Sequence, residues 1–385
     1  MTSAPCHQSM SSRAMSSFFR ADRLGLSWVL VCLTLTAMAQ TNQEVARRWL
    51  AAAPVAAPFS PAPDLAGWEK QRGAIRAQLW DSLGKLPPRP PRPVVETVRR
   101  EDHGDFWLER FHFDNGAGAM VPGYLLLPKS AAAKVPAILY CHWHGGQYDI
   151  GKEELFGTNA VPVPPGPALV RQGYAVLGID AYGFGERNGQ GPGGAAERGG
   201  DGEMTASKFN LWVGRSLWGM IVRDDLMALD YLASRPEVDA GRIGVTGISM
   251  GATRTWWIMA LDERPKAGVA VACLTRYQDL IATGGLKYHG IYYFVPGLLN
   301  HFDTEAVVAL AAPRPLLFQT GDQDFGSPVA GVHAVEASVR PVYELYGAGR
   351  AFESIVYPGL GHVYTEAMWQ RTLAWLADRL KPQGP

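Results

Sequence analysis

Short apolar runs that lack polar alternation set the strongest limit on how this chain can fold. They fall at residues 135–141, 175–179, 243–246, 268–272, 315–319 and 352–357. A strand with one wet face alternates apolar and polar side chains, so an unbroken run marks a strand covered on both faces. Helix-forming stretches lie between or after most of them, among them residues 217–232 and 365–380. This alternation predicts an α/β fold, a doubly wound, mostly parallel sheet with helices on both faces. Residues 107–113 and 120–127 flank Asn115-Gly116 and predict an antiparallel pair. With 385 residues, 47% of them hydrophobic, the chain can bury such a core. Its 36 Lys and Arg balance 36 Asp and Glu, and no basic run stands out. That excludes the electrostatic footprint of a nucleic-acid or anionic-membrane partner.

The first residues read as a targeting segment. Arg20 and Arg23 precede an apolar stretch over residues 24–35, and Ala37-Met38-Ala39 offers small residues for cleavage, which predicts a signal peptide over residues 1–39. The stretch is shorter than the roughly 20 residues of a spanning helix. Cys32 lies inside it and no cysteine follows the small residues, so a lipoprotein anchor is not expected; translation could also start at Met10 or Met15. The expected location is secreted or periplasmic, with no membrane contact after cleavage. Removing three Arg and one Asp takes the charge from 0 to about −2.

Residues 40–95 are expected to form a helical extension packed on the main domain, with helices over residues 43–53 and 64–83 and a stop at Leu86-Pro87-Pro88-Arg89-Pro90-Pro91. Residues 96–385 are expected to be the catalytic domain. Two insertions interrupt the rhythm: residues 188–202, glycine-rich and read as a mobile surface loop, and residues 281–301, where Tyr288, Tyr292, Tyr293 and Phe294 mix with glycines. Both follow strands on the expected carboxyl edge, where ligands bind in open α/β sheets. After signal removal Cys141 and Cys273 remain, each in an apolar run. They are read as small hydrophobes, with a disulfide between them as the alternative in an oxidising compartment.

Chemistry enters at Gly247-Ile248-Ser249-Met250-Gly251, between an apolar run and a segment able to start a helix. A serine on so sharp a turn has an exposed hydroxyl and strained backbone angles, with glycines allowing close approach on either side. Ser249 is the candidate nucleophile. A serine hydroxyl is weak at neutral pH and needs a base, which a carboxylate orients. Gly321-Asp322-Gln323-Asp324 follows one strand-like run and Gly361-His362 follows the last. His362 is the expected base; Asp324 is preferred over Asp322 as the acid. The oxyanion donors are expected to be the N–H of Met250 and one from Trp143 or His144, between which the sequence leaves the choice open. His142-x-His144 also has zinc-ligand spacing, but a catalytic zinc needs a third ligand and no suitable pattern follows, so the two are read as loop anchors and neither metal nor cofactor is expected.

With these residues in place the chain resembles the dienelactone-hydrolase and acetyl-xylan-esterase-like branch of the α/β-hydrolase superfamily, over about residues 122–380. Besides the serine pentapeptide, the resemblance rests on His142-Trp143-His144-Gly145-Gly146, Asp180-Ala181-Tyr182-Gly183-Phe184-Gly185-Glu186-Arg187, Val238-Asp239-Ala240-Gly241-Arg242-Ile243-Gly244 and Ala312-Pro313-Arg314-Pro315. It implies an α/β-hydrolase fold and a triad of Ser249, Asp324 and His362 without cofactor. Trp143 stands where the family usually has glycine, and the serine turn lacks the Gly-Cys-Ser-Arg pattern of glucuronoyl esterases. The expected activity is hydrolysis of small-molecule or carbohydrate esters through an acyl-enzyme, acetyl esters foremost. The alternatives are a prolyl-oligopeptidase-like peptidase, for which no propeller repeat is present, and an inactive hydrolase-fold binding protein.

Overall fold

The structure, a computed structural model, describes residues 42–130 and 133–381. The expected signal peptide and its cleavage point lie outside the described residues. Residues from Ala46 onward belong to one compact unit. Among the described residues, nine strands form a single sheet: β1 (Val95–Asp102), β2 (Phe106–Asp114), β3 (Met120–Pro128), β4 (Val135–Cys141), β5 (Ala175–Ile179), β6 (Val238–Ile248), β7 (Pro265–Val271), β8 (Leu316–Gly321) and β9 (Phe352–Tyr357). Their order is β1-β2-β3-β5-β4-β6-β7-β8-β9. The first three pair antiparallel, as β3 does with β5, and every pairing from β5 to β9 is parallel.

Most of the apolar runs are strands with both faces buried; β9, at the edge of the sheet, is the exception, with only Phe352 buried. Along β4, Ala137, Leu139 and Cys141 enter one hydrophobic core while Ile138 and Tyr140 enter the other. Helices α3 (Leu217–Ser234) and α4 (Met250–Leu261) contribute to the first core, and α5 (Glu366–Leu380) contributes to the second. Every residue of α4 is buried, including Arg254, whose guanidinium donates to Asp225 at 2.9 Å.

Helix α1 (Leu65–Leu83) is the second helix expected near the N-terminus; its cap is Asp64, whose carboxylate accepts the Gly67 N–H at 2.8 Å. It buries Trp68, Leu79 and Leu83 in the first core. Arg72 and Arg76 both reach Glu263, at 3.2 and 2.8 Å, and Arg76 donates to the Ala260 carbonyl at the end of α4.

Two local expectations need correction. Strand β1 was not foreseen: it is a mostly exposed edge carrying Arg99, Arg100 and Glu101, with no apolar run to mark it. The segment 188–202 is not simply a surface loop. Asn188 is buried, donating to Asp149 at 2.8 Å and accepting the Gly199 N–H at 2.8 Å, and Gly199 opens helix α2 (Gly199–Trp212). Its opening Gly199-Gly200-Asp201-Gly202 reads as loop because glycine weakens helix propensity. Residues 281–301 consist, as expected, of neither long helix nor strand; three short 3₁₀ turns, Gly285–Tyr288, Ile291–Tyr293 and Leu298–Asn300, punctuate that stretch.

Candidate active site

The parallel strands β4, β6, β8 and β9 all end on the same edge of the sheet, so the segments that follow them converge there. Ser249 follows β6 and caps α4 with φ 60° and ψ −119°. A non-glycine residue held at positive φ carries backbone strain, which the surrounding packing must sustain. The flanking glycines are sterically required: a Cβ on Gly247 would lie 2.2 Å, and one on Gly251 2.0 Å, from the Cys141 carbonyl oxygen. As the first residue of α4, Met250 has an N–H with no acceptor within the helix.

His362 Nδ1 lies 2.8 Å from Asp324 Oδ2, and both line, with Ser249, a cavity of about 620 Å³. Burial pushes the Asp324 carboxyl upward, but the hydrogen bond and charge of His362 and the Gly326 N–H outweigh it, so Asp324 is held below the usual carboxylate range. Asp322 points elsewhere, accepting the Gly359 N–H at 2.7 Å. The Ser249 hydroxyl makes no hydrogen bond to His362; its neighbour is the Cys273 thiol, 3.7 Å away. Such contacts are often long until substrate binds.

The loop after β4 separates the two candidate donors. The Trp143 N–H is already committed to Glu154 Oε2 at 2.8 Å, and Trp143 does not line the cavity; His144 does. Glu154 is buried, and burial raises its carboxyl to about 7 despite the Tyr140 hydroxyl and the Trp143 N–H. The two histidines are consumed by protein partners. His142 donates from Nδ1 to the Trp143 carbonyl at 2.7 Å and accepts the Ala181 N–H on Nε2 at 3.1 Å, and burial drives its basicity well down. The His144 ring meets Glu203 at 2.7 Å. Among the described residues no group of three metal-ligating side chains comes together.

Several residues at or behind the cavity were not assigned to the site from the sequence. Glu203, which meets the cavity-lining His144, has no motif around it. His289 donates to the Gly326 carbonyl at 3.0 Å, is stacked on Tyr293, and is made less basic by burial. Cys273 was read as a packing residue, with a disulfide to Cys141 as the alternative. It is free, as is Cys141, both are buried, and Cys273 lines the cavity at φ 52°. Ala272 and Cys273, two successive non-glycine residues at positive φ, are the backbone signature of this turn, and no sequence rule announces it.

A mostly parallel sheet whose central strand delivers a strained serine to its carboxyl edge, with an Asp–His pair facing the same cavity, defines an α/β hydrolase. The chain belongs to the Abhydrolase family, whose sequence profile matches residues 51–341. The protein named Putative hydrolase YtaP, from Bacillus subtilis (strain 168), is 37% identical over 308 residues, covering 79% of this chain and 98% of its own length. Similar solved structures include a glucuronoyl esterase from Solibacter usitatus, with a TM-score of 0.64, 19% identity, and coverage of 84% of this chain and 99% of that one. Acetyl xylan esterase 1 from Thermoanaerobacterium superposes with a TM-score of 0.57 at 16% identity, covering 87% and 98%. These two share the fold.

Proposed function

We propose that this protein is a secreted or periplasmic serine esterase that removes small acyl groups, acetyl foremost, from carbohydrate or related esters. The observation that carries the reading is the 2.8 Å Asp324–His362 hydrogen bond in the cavity that Ser249 lines at positive φ. Ser249 Oγ attacks the ester carbonyl carbon while His362 Nε2 takes the hydroxyl proton, and Asp324 stabilises the resulting imidazolium through Nδ1. The Met250 and His144 N–H groups receive the oxyanion. Collapse breaks the bond to the alcohol, which leaves with the proton from His362. Water, deprotonated by the same imidazole, then attacks the acyl carbon and frees Ser249.

The carbohydrate part draws support from the similar folds just described and from the cavity mouth. There Tyr288 and Phe325 are stacked at 6.0 Å and are 53% and 71% exposed, offering a flat apolar face to a sugar ring. The test is hydrolysis of short p-nitrophenyl esters together with covalent labelling of Ser249 by an organofluorophosphonate. Expected are turnover and labelling, both lost in Ser249→Ala, with prolyl amides left intact. A protein that neither hydrolyses nor labels is not a serine esterase, and cleavage of the prolyl amide would favour the peptidase reading. Acetyl, feruloyl, methyl-glucuronoyl and lactone substrates then rank the acyl and alcohol groups.

A further inference from the structure

Glu203 lies on α2, in the helical insertion, and its residue is 6% exposed. Its carboxylate joins three separate segments. One oxygen meets His144 Nε2 at 2.7 Å and accepts the Tyr148 hydroxyl at 3.0 Å; the other accepts the Tyr292 N–H at 3.4 Å. On its far side the His144 ring accepts the Gly146 N–H on Nδ1 at 3.0 Å. An imidazole nitrogen that accepts an N–H carries no proton, so Nε2 bears the hydrogen and donates it to Glu203. Tyr292 stacks on the same ring, with centroids 4.8 Å apart and planes 20° from parallel. The ring is thus held at both nitrogens and on one face, in the loop whose preceding N–H, that of Trp143, is taken by Glu154.

We infer that Glu203 is a positioning residue that fixes the His144 ring, and through it the loop that presents the His144 N–H to the reacting carbonyl. The inference rests on the esterase reading and deepens it. An oxyanion donor acts only if it is in place before charge develops, so loosening its loop lowers kcat more than it weakens binding of the ground state. Glutamine can still accept from Nε2–H and from Tyr148; alanine cannot.

Glu203→Ala is expected to lower kcat by roughly 10–100-fold, the scale of a misplaced catalytic group, with KM within about twofold. Glu203→Gln should recover at least about a third of wild-type kcat, because it keeps the acceptor. His144→Ala keeps the backbone N–H but loses the ring, and should match Glu203→Ala; the double variant should be no worse than either alone. The His144 Nε2–H is expected by NMR as a slowly exchanging imidazole proton in the wild type and should vanish in Glu203→Ala. Unchanged kcat in Glu203→Ala, additive losses in the double variant, or a wild type without that protected proton would each overturn the inference. If Glu203→Ala does not fold, His144→Ala and Glu203→Gln carry the same comparison. A wild type that keeps the protected proton yet shows neither turnover nor Ser249 labelling would remove the esterase reading and leave the clamp standing.

Discussion

At the scale of single residues, what separates Asp322 from Asp324 is the direction each side chain takes after β8. Asp324 meets His362 and Asp322 ties the Gly359 N–H. Asp324→Asn is therefore expected to lower kcat by about 10⁴-fold, as loss of the orienting carboxylate does in serine hydrolases, and Asp322→Asn by less than about tenfold in the same assay. The reverse ranking would overturn the assignment of the acid. Ser249, Asp324 and His362 were legible in the sequence because each lies just past a strand and near a glycine, and chain order narrows the roles. Cys273 and His289 at the cavity, and Glu203 beside His144, were not, because tertiary packing alone brings them there. Gly251 offers a steric test: in Gly251→Ala the new Cβ meets the Cys141 carbonyl at 2.0 Å, and either the end of β4 or the start of α4, which carries Ser249, must shift. Overpacking of this kind costs about 1–3 kcal/mol, so both the urea midpoint and kcat should fall. A variant with native stability and kcat would refute that reading.

At the scale of elements, the sequence located most readily what was buried on both sides. Residues 135–141 and 175–179 coincide with β4 and β5 because doubly covered strands must be apolar throughout, whereas β9, at the sheet edge, was found at residues 352–357 although it carries Glu353 and Ser354 and only Phe352 is buried. Strand β1 escaped because charged side chains on an edge strand guard it against pairing with other chains and erase the apolar signal. Helix α2 escaped because its glycine-rich opening resembles loop, although its docking is what delivers Glu203 to the site. The same logic ranks two substitutions. Trp68→Ala empties a fully buried site under α1 and should cost about 3–5 kcal/mol in chemical denaturation. Arg171→Ala breaks an ion pair with Asp105 whose partners are 62% and 54% exposed, and should leave the denaturation midpoint nearly unchanged because solvent screens the pair. Equal losses would contradict this placement of the core.

At the scale of the whole molecule, Glu154 couples stability to pH. Its carboxyl titrates at about 7 in the folded chain against an ordinary value of 4.5, chiefly because it is buried. Between these values the folded state holds a proton that the unfolded state has released. The resulting stability is fully present below about pH 4.5 and is lost as pH rises through about 7. Glu154 therefore pulls the Tm down over that window, against the upward pull of His142 and His289, whose lowered basicity makes the folded state gain stability as pH rises. Glu154→Gln, which removes its titration, should shift the slope of Tm against pH upward, and an unchanged slope would refute that contribution. The charge balance of the sequence gave no hint of this, since it counts ionisable groups without their surroundings.

The grip of α1 on the far end of α4 bears on where the functional unit starts. Ser249 opens α4, and Arg76 holds its last turn from a helix that lies before residue 96. A chain cut to begin at Val95 would keep every proposed catalytic group, yet would uncover the apolar surface that Trp68, Leu79 and Leu83 shield. A form that starts at Asp64 is therefore expected to keep the native urea midpoint and one that starts at Val95 to lose it, although nothing upstream of Val95 lines the cavity.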